Sequence, residues 1–263
     1  MSQSMMLPII KKDLRGITAN RHLFSSILIV PLVLTVILPS IFIMVTYFVP
    51  DEAGELKQVL ELLPVEQQNQ PLSQIILDYM LNYILPVFFL VIPIMTASIM
   101  AASSFVGEKE KHTLETLLYC PLTLKQIFRA KVLASFFLSM LVSFLSFFAM
   151  LLVLEIEIYC LTGSLVFPGI SWIAILLLVS PAISLIAVTL IVRGSAKAQS
   201  VEESQQRAVF LLLPIILLIV GQFTGILLIN SWILVGLGVL CALLAWLLLK
   251  KAVARYHYET LLK

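Results

Sequence analysis

The chain has 263 residues, of which 60% are hydrophobic and only 12% are charged, and its mean hydropathy is +1.06. These values exclude a water-soluble globular domain and indicate an integral membrane protein. The net charge of +2 gives no indication of nucleic-acid binding.

The first predicted element is an amphipathic helix over residues 5–20. Three apolar and three basic residues fall on its opposite sides, namely Ile10, Leu14 and Ile17 against Lys11, Lys12 and Arg15. We expect such a helix to lie in the membrane interface, with its apolar side at the acyl boundary and its cations among the lipid headgroups. The alternative is a disordered basic leader.

Six long runs without Asp, Glu, Lys or Arg follow, and each is long enough for a helix to cross the hydrocarbon core. The predicted spans are 23–48, 83–106, 132–154, 169–192, 208–229 and 232–249. Only Asn230 and Ser231 separate the last two, so a bent or re-entrant segment is the alternative there. Between the first two spans, residues 56–63 predict a short amphipathic helix that ends at Pro64. The predicted fold class is all-α integral membrane.

The distribution of Lys and Arg predicts the orientation of these spans. Of the 17 basic residues, all but Lys57 fall on one side of the predicted membrane. Because basic loops are retained in the cytoplasm, we expect both termini there and a multi-pass protein of the plasma membrane.

Several kinds of chemistry lack the residues that they need. The predicted spans contain no Asp, Glu, Lys, Arg or His, which disfavours an ion-coupled carrier, although sodium sites can be built from carbonyls and hydroxyls alone. The sequence has no HExxH motif, no Cys/His cluster and no phosphate-binding GxxxxGK[ST] loop. We therefore expect no catalytic residue, no metal site and no cofactor on this chain.

Residues 107–131 form the most polar run of the chain and predict a helical hairpin between the second and third spans. Thr113 is placed to cap a short helix that Pro121 ends, and the leucines of that helix share one face. Thr123 and Gln126 have the spacing of a capping box, so the next helix is expected to start at Thr123 and to continue into the third span. An apolar face with a charged rim suits the docking of another protein, and an ordinary loop lying against the membrane is the alternative.

The run SFVGEKEKHTLETLLYCPLTLKQIFRAK resembles the signature between the second and third spans of the type 2 family of ATP-binding-cassette (ABC) exporter permeases. The residues that match it are Gly107, Glu108, Lys109, Glu110, Thr113, Leu114, Glu115, Leu117, Leu118, Pro121, Thr123, Ile127 and Lys131. The likeness extends to KKDLRGITANRHLF and to VEESQQRAVFLLLPIILLIVGQ. His112 departs from the pattern, because many relatives have glycine at that position.

The resemblance implies a transport subunit that receives its energy from a separate ATPase, which would bind ATP and magnesium. The region 108–121 would be the coupling helix that docks this ATPase, and the permease would pair with a second copy or a sibling permease. The implied docking residues are Glu108, Lys109, Glu110, Thr113, Leu114, Glu115, Leu117, Leu118, Pro121 and Thr123.

A polar set inside the spans suggests a translocation path, and its members are Thr96, Ser98, Gln222 and Thr224. Hydrogen bonding between helices is the alternative role for these side chains. Prolines in four of the spans suggest bending points. The predicted function is the outward movement of a hydrophobic or amphipathic substrate, either a peptide or a drug. A sodium- or ion-extruding permease and a non-transporting membrane anchor are the alternatives.

Overall fold

The computed structural model describes residues 7–19, 21–48, 72–110, 113, 123–163, 169–195, 198, 200–224, 227 and 229–255, which are almost entirely helical and contain no strand. Six helical segments in these ranges are long and apolar enough to cross a membrane. They are Ile27–Val45, Ile75–Glu110, Leu124–Thr162, Ile170–Ser195, Val201–Phe223 and Ser231–Ala254, called here the first to sixth spans. The predicted all-α membrane fold with six spans is confirmed.

The N-terminal helix is Leu7–Ala19, which precedes the first span. The α-helical pieces of the spans are Arg21–Leu32, Leu38–Phe48, Leu72–Tyr79, Leu85–Phe89, Val91–Glu110, Leu124–Thr162, Ile170–Ala174, Ser180–Ser195, Val201–Ala208, Leu213–Phe223 and Ser231–Arg255. Three π-helical segments and one 3₁₀ segment join them, at Val33–Ile37, Met80–Ile84, Ile175–Val179 and Val209–Leu211. The short helix predicted over 56–63 lies outside the described residues.

The helices that contain the second and third spans extend beyond the predicted apolar runs 83–106 and 132–154. The second span continues to Glu110, and the third begins at Leu124 and ends at Thr162. The charged residues of these two helices lie outside the predicted apolar runs 83–106 and 132–154. Glu108 and Lys131 are paired with each other, whereas Glu155 and Glu157 each have a buried carboxylate oxygen with no hydrogen-bond partner among the described residues.

The second span forms the centre of the bundle. In its most apolar window 78% of the residues are buried, against 28%, 22% and 17% in the first, fifth and sixth spans. It packs between the third and fourth spans, and Val87, Ala97 and Met100 are fully enclosed in the shared core. The first, fifth and sixth spans therefore present most of their apolar surface outward, as expected for helices in lipid.

Each π-helical segment contains the residue four positions before a proline, so three of the predicted bending points coincide with departures from α geometry, whereas Pro31 and Pro93 lie within α-helices. These pairs are Thr35 and Pro39, Asn82 and Pro86, and Leu177 and Pro181. A proline ring clashes with the carbonyl group four residues earlier and donates no hydrogen bond to it. The wider turn relieves that clash, which explains why the segments occur at these positions.

The fifth and sixth spans are two separate helices. The fifth ends at Phe223, and the sixth starts at Ser231. Leu227 donates its backbone N–H to the carbonyl oxygen of Gly221 at 2.9 Å, which closes a turn after the fifth span. The predicted fifth span over 208–229 was thus placed several residues too far along the chain.

Candidate functional site

A cluster of charged side chains lies where the N-terminal helix meets the second and third spans. The Nζ atom of Lys131 lies 2.9 Å from Oε2 of Glu108 and 3.6 Å from Oδ2 of Asp13. Lys131 also donates hydrogen bonds to the backbone oxygen and the hydroxyl of Ser104, and that hydroxyl donates to Asp13 at 2.7 Å. Lys12 donates to Oε1 of Glu108 at 2.8 Å. These five residues, called here the ionic cluster, balance two cations against two carboxylates.

The centre of the ionic cluster is removed from solvent. The side chains of Lys131, Asp13 and Glu108 are 3%, 6% and 10% exposed, whereas that of Lys12 is 58% exposed. The ammonium group of Lys131 also lies 5.4 Å from the centre of the Phe105 ring, a favourable distance for a cation over an aromatic face. An unpaired charge in such a place costs several kcal/mol, so each of these charges depends on the others.

Apolar packing supports the same junction. Ile9 of the N-terminal helix is buried against Ile127 and Ala130 at the start of the third span. Part of the apolar side of this helix thus faces protein, where the sequence predicted contact with acyl chains. The N-terminal helix is consequently attached to the third span by both charge and packing.

The end of the second span is also attached to the start of the fifth. Oε2 of Glu110 accepts a hydrogen bond from the backbone N–H of Val201 at 3.2 Å. Ser200 is the N-cap of the same helix, and its hydroxyl accepts from the N–H of Glu203 at 3.2 Å. A helix N-terminus has unpaired N–H groups and a partial positive charge, which explains why a carboxylate and a hydroxyl are stable there.

The predicted start of the third helix is confirmed at Thr123. The Thr123 hydroxyl accepts from the backbone N–H of Gln126, and the Gln126 side chain accepts from the N–H of Thr123, which is a complete capping box. Thr113 is exposed, and its backbone N–H and its hydroxyl both lie within hydrogen-bond reach of the carbonyl oxygen of Glu108. It therefore caps the end of the second span.

The predicted docking residues fall into two groups. Leu114, Glu115, Leu117, Leu118 and Pro121 lie outside the described residues. Of the others, Lys109, Glu110, Thr113 and Thr123 are at least partly exposed, whereas Glu108 is 8% exposed and is held in the ionic cluster. Glu108 thus acts inside this chain, and its predicted contact with a partner protein stays a prediction.

The four residues of the predicted translocation path do not form one continuous set. Thr96 donates to the carbonyl oxygen of Ile92 and lies 3.0 Å from the hydroxyl of Ser139, which lies 3.2 Å from that of Ser184. These hydroxyls link the second, third and fourth spans inside the bundle. Thr96 therefore has the alternative role of interhelical hydrogen bonding.

The other three members of that set differ in their surroundings. Ser98 is buried, and its hydroxyl has no hydrogen-bond partner among the described residues. Gln222 is also buried with its amide group unpaired in that part of the chain, and its backbone oxygen accepts from the Tyr79 hydroxyl at 2.9 Å. Thr224 is exposed and donates to the carbonyl oxygen of Val220 at 3.0 Å. No hydrogen bond joins any of the four described path residues to another.

The family model described as ABC-2 family transporter protein matches residues 7–236 of the 263. The chain belongs to the ABC-2 transporter family. No curated protein and no solved structure is significantly similar to it. The match covers the N-terminal helix, the hairpin region and the first five spans.

Three members of the ionic cluster of this ABC-2 permease were not identified as site residues from the sequence, namely Lys12, Asp13 and Ser104. Lys131 was considered as a match to the family signature and as one of the basic residues that predict the orientation of the spans. One signal for this cluster was available in the sequence. Asp13 is a single acidic residue among the basic residues Lys11, Lys12 and Arg15. ABC-2 permeases typically work with an ATPase partner. The ionic cluster joins the two helices that flank residues 111–122.

Proposed function

We propose that this chain is the transmembrane subunit of an ATP-driven exporter, in which a separate ABC ATPase docks on residues 108–121. The ATPase binds ATP and magnesium, and the permease works as a pair with a second copy or a sibling. The substrate is a hydrophobic or amphipathic molecule, a peptide or a drug, and it moves outward across the plasma membrane. The hairpin and both termini face the cytoplasm in this proposal.

The observation that supports this proposal is the ionic cluster beneath the hairpin. Glu108 belongs to the helix that enters residues 111–122, and Lys131 belongs to the helix that leaves them. Separating these two helices would leave nearly buried charges without partners, which costs several kcal/mol. Force applied to the hairpin would therefore move the second and third spans together.

Two further attachments would extend this movement. Asp13 ties the N-terminal helix to the same junction, and Glu110 ties the start of the fifth span to it. Binding of ATP to the partner can shift the permease only by as much as it favours one state over the other. If the hairpin is firmly attached, the free-energy difference that ATP binding supplies moves the spans and does not merely bend the hairpin.

In this proposal the docking residues have two different roles. Leu114, Leu117 and Leu118 form an apolar anchor for the ATPase, and the charged residues around them set its position. Glu108 and Thr123 hold the hairpin in place. Glu108→Lys would put a third cation into the ionic cluster. A loss of docking in that variant could therefore come either from a lost contact with the ATPase or from a disrupted fold of the permease.

Leu117→Asp gives the cleaner test. We expect a cassette ATPase encoded beside this permease to co-purify with the wild-type chain and to be lost from Leu117→Asp. Leu7→Asp is the matched control, because Leu7 is a leucine that is 64% exposed and lies outside the hairpin. Both variants should still insert and purify from membranes in normal amounts. Equal co-purification by Leu117→Asp and Leu7→Asp would refute docking on the hairpin.

Transport in vesicles separates this proposal from its alternatives. The reconstituted permease and ATPase should move a fluorescent amphipathic peptide or drug from a test panel only when ATP is hydrolysed. An ATP-dependent movement of radioactive sodium alone would favour the ion-extruding permease. Docking without any nucleotide-dependent transport would favour the membrane anchor.

A further inference from the structure

A cleft near the C-terminal end of the third span contains a carboxylate with one buried oxygen that is unpaired among the described residues. The cleft encloses about 310 Å³, part of which is open to the surroundings. Its walls include Leu81 of the second span, Trp172 of the fourth, and Phe147, Met150, Leu154 and Glu155 of the third. The Oε2 atom of Glu155 is buried there and has no hydrogen-bond partner among the described residues.

The position of Glu155 on its helix explains how a carboxylate comes to lie in an apolar cleft. The six lining residues of the third span, from Phe147 to Ile158, recur three or four positions apart and therefore share one face of the helix. Over these residues the helix rises by about 16 Å. Glu155 thus lies on the face turned toward the other spans, and among the described residues that line the cleft it is the only acidic one.

The walls of the cleft are held together by aromatic and polar contacts. The ring centres of Phe147 and Trp172 are 5.3 Å apart, and Phe89 contacts both rings. The Trp172 indole N–H donates to the carbonyl oxygen of Leu81 at 2.9 Å, and Asn82 accepts from the backbone N–H of Gly169 at 3.0 Å. The cleft is therefore a built feature of three spans, and its walls keep their spacing.

A buried carboxylate oxygen without a partner is unfavourable, and a cation that donates a hydrogen bond to it would remove that cost. A primary ammonium group can donate N–H hydrogen bonds to a carboxylate oxygen, whereas a trimethylammonium group has no N–H to donate.

The surroundings of the cleft indicate where the cation comes from. Phe148, Leu152 and Ile156 lie on the same stretch of the third span and are 59–63% exposed, so the helix beside the cleft faces lipid. The apolar walls suit a hydrocarbon chain, and the carboxylate suits a headgroup at the membrane surface. The membrane itself contains molecules of this kind.

We propose that this cleft binds a membrane lipid with a primary ammonium headgroup, with the ammonium at Glu155 and a hydrocarbon chain along the apolar walls. The proposal does not depend on the docking of an ATPase. Phosphatidylethanolamine has the required group, and phosphatidylcholine with the same chains differs only in carrying a quaternary one.

The test uses the full-length chain in nanodiscs that contain equal amounts of these two lipids with identical chains. Lipids that stay bound after extraction are counted by native mass spectrometry. We expect the wild-type chain to retain phosphatidylethanolamine about tenfold more than phosphatidylcholine, because a hydrogen bond between charged groups is strong. Glu155→Gln should remove that preference.

Glu157→Gln is the matched control, because Glu157 also has a buried oxygen without a partner among the described residues but does not line the cleft. It should keep the tenfold preference. Equal retention of the two lipids by the wild-type chain, or equal loss of the preference in both variants, would overturn the proposal. Since the wild-type result alone can do so, the test holds even if Glu155→Gln folds poorly.

Discussion

Replacing Lys131 by methionine should be among the most damaging single changes in the described part of this chain. Methionine has nearly the length of lysine, so the change removes the charge and leaves little empty space. Asp13 and Glu108 then remain as two carboxylates whose side chains are 6% and 10% exposed. Removing one partner of a buried ion pair typically costs about 3–5 kcal/mol, because the other charge stays in a poorly solvated place.

The position of Lys12 determines which part of the range of about 3–5 kcal/mol the loss of unfolding free energy should reach. Its ammonium lies 2.8 Å from Glu108 and would still neutralise part of the remaining charge, but its side chain is 58% exposed. Exposed pairs contribute about 0–1 kcal/mol. We therefore expect Lys131→Met to lower the free energy of unfolding by about 3 kcal/mol, and Lys12→Met to lower it by less than about 1 kcal/mol.

The measurement is a denaturant titration of the purified chain in mixed micelles, with the thermal midpoint as a second reading. Lys125→Met is the control, because Lys125 lies on an exposed position of the same helix. A combined variant with Asp13→Asn, Glu108→Gln and Lys131→Met should recover most of the loss, since the charge that remains in the ionic cluster is that of Lys12, whose side chain is 58% exposed. The reasoning is refuted if Lys131→Met matches Lys125→Met, or if the combined variant is as unstable as the single one.

Two further changes test the ends of the third helix. Thr123→Ala should cost about 1 kcal/mol of stability by removing the hydroxyl of the capping box, while Thr123→Ser should cost little; the same denaturant titration measures both, and equal losses would contradict the capping role. Gly163→Ala should cost about 1 kcal/mol because Gly163 has φ 70°, whereas Gly16→Ala, at an exposed position of the N-terminal helix, should stabilise the chain slightly. Thermal midpoints that shift in the same direction for both glycine variants would exclude this explanation.

The features that depend on a local sequence pattern could be predicted from the sequence. Six apolar runs gave the number of spans, and Thr123 with Gln126 gave the start of the third helix, because hydropathy and capping are read over a few neighbouring residues. The bending points near prolines followed for the same reason. The helices extend past the predicted apolar runs 83–106 and 132–154, because a charge that ends an apolar run does not by itself end a helix.

The candidate site could be predicted only in part, because its members come from separate segments of the chain. Nothing near Lys131 in the sequence indicates that its partners are Asp13 and Glu108, so the charge was read as one of many basic residues on one face. The hydroxyl network was likewise missed, because Ser139 and Ser184 are ordinary residues in apolar helices until Thr96 is placed beside them. The family signature predicted a docking region at 108–121 but not the ionic cluster that joins the helices on either side of it.

The third span differs from most of its neighbours in having no proline and no interruption over its 39 residues. At 1.5 Å per residue it is a continuous helix about 58 Å long, nearly twice the thickness of the hydrocarbon core. A tilt of about 5° around one end would displace the other end by about 5 Å. The proline-containing spans can absorb such a rotation at their wide turns, so this one helix is built to carry a displacement from one membrane face to the other.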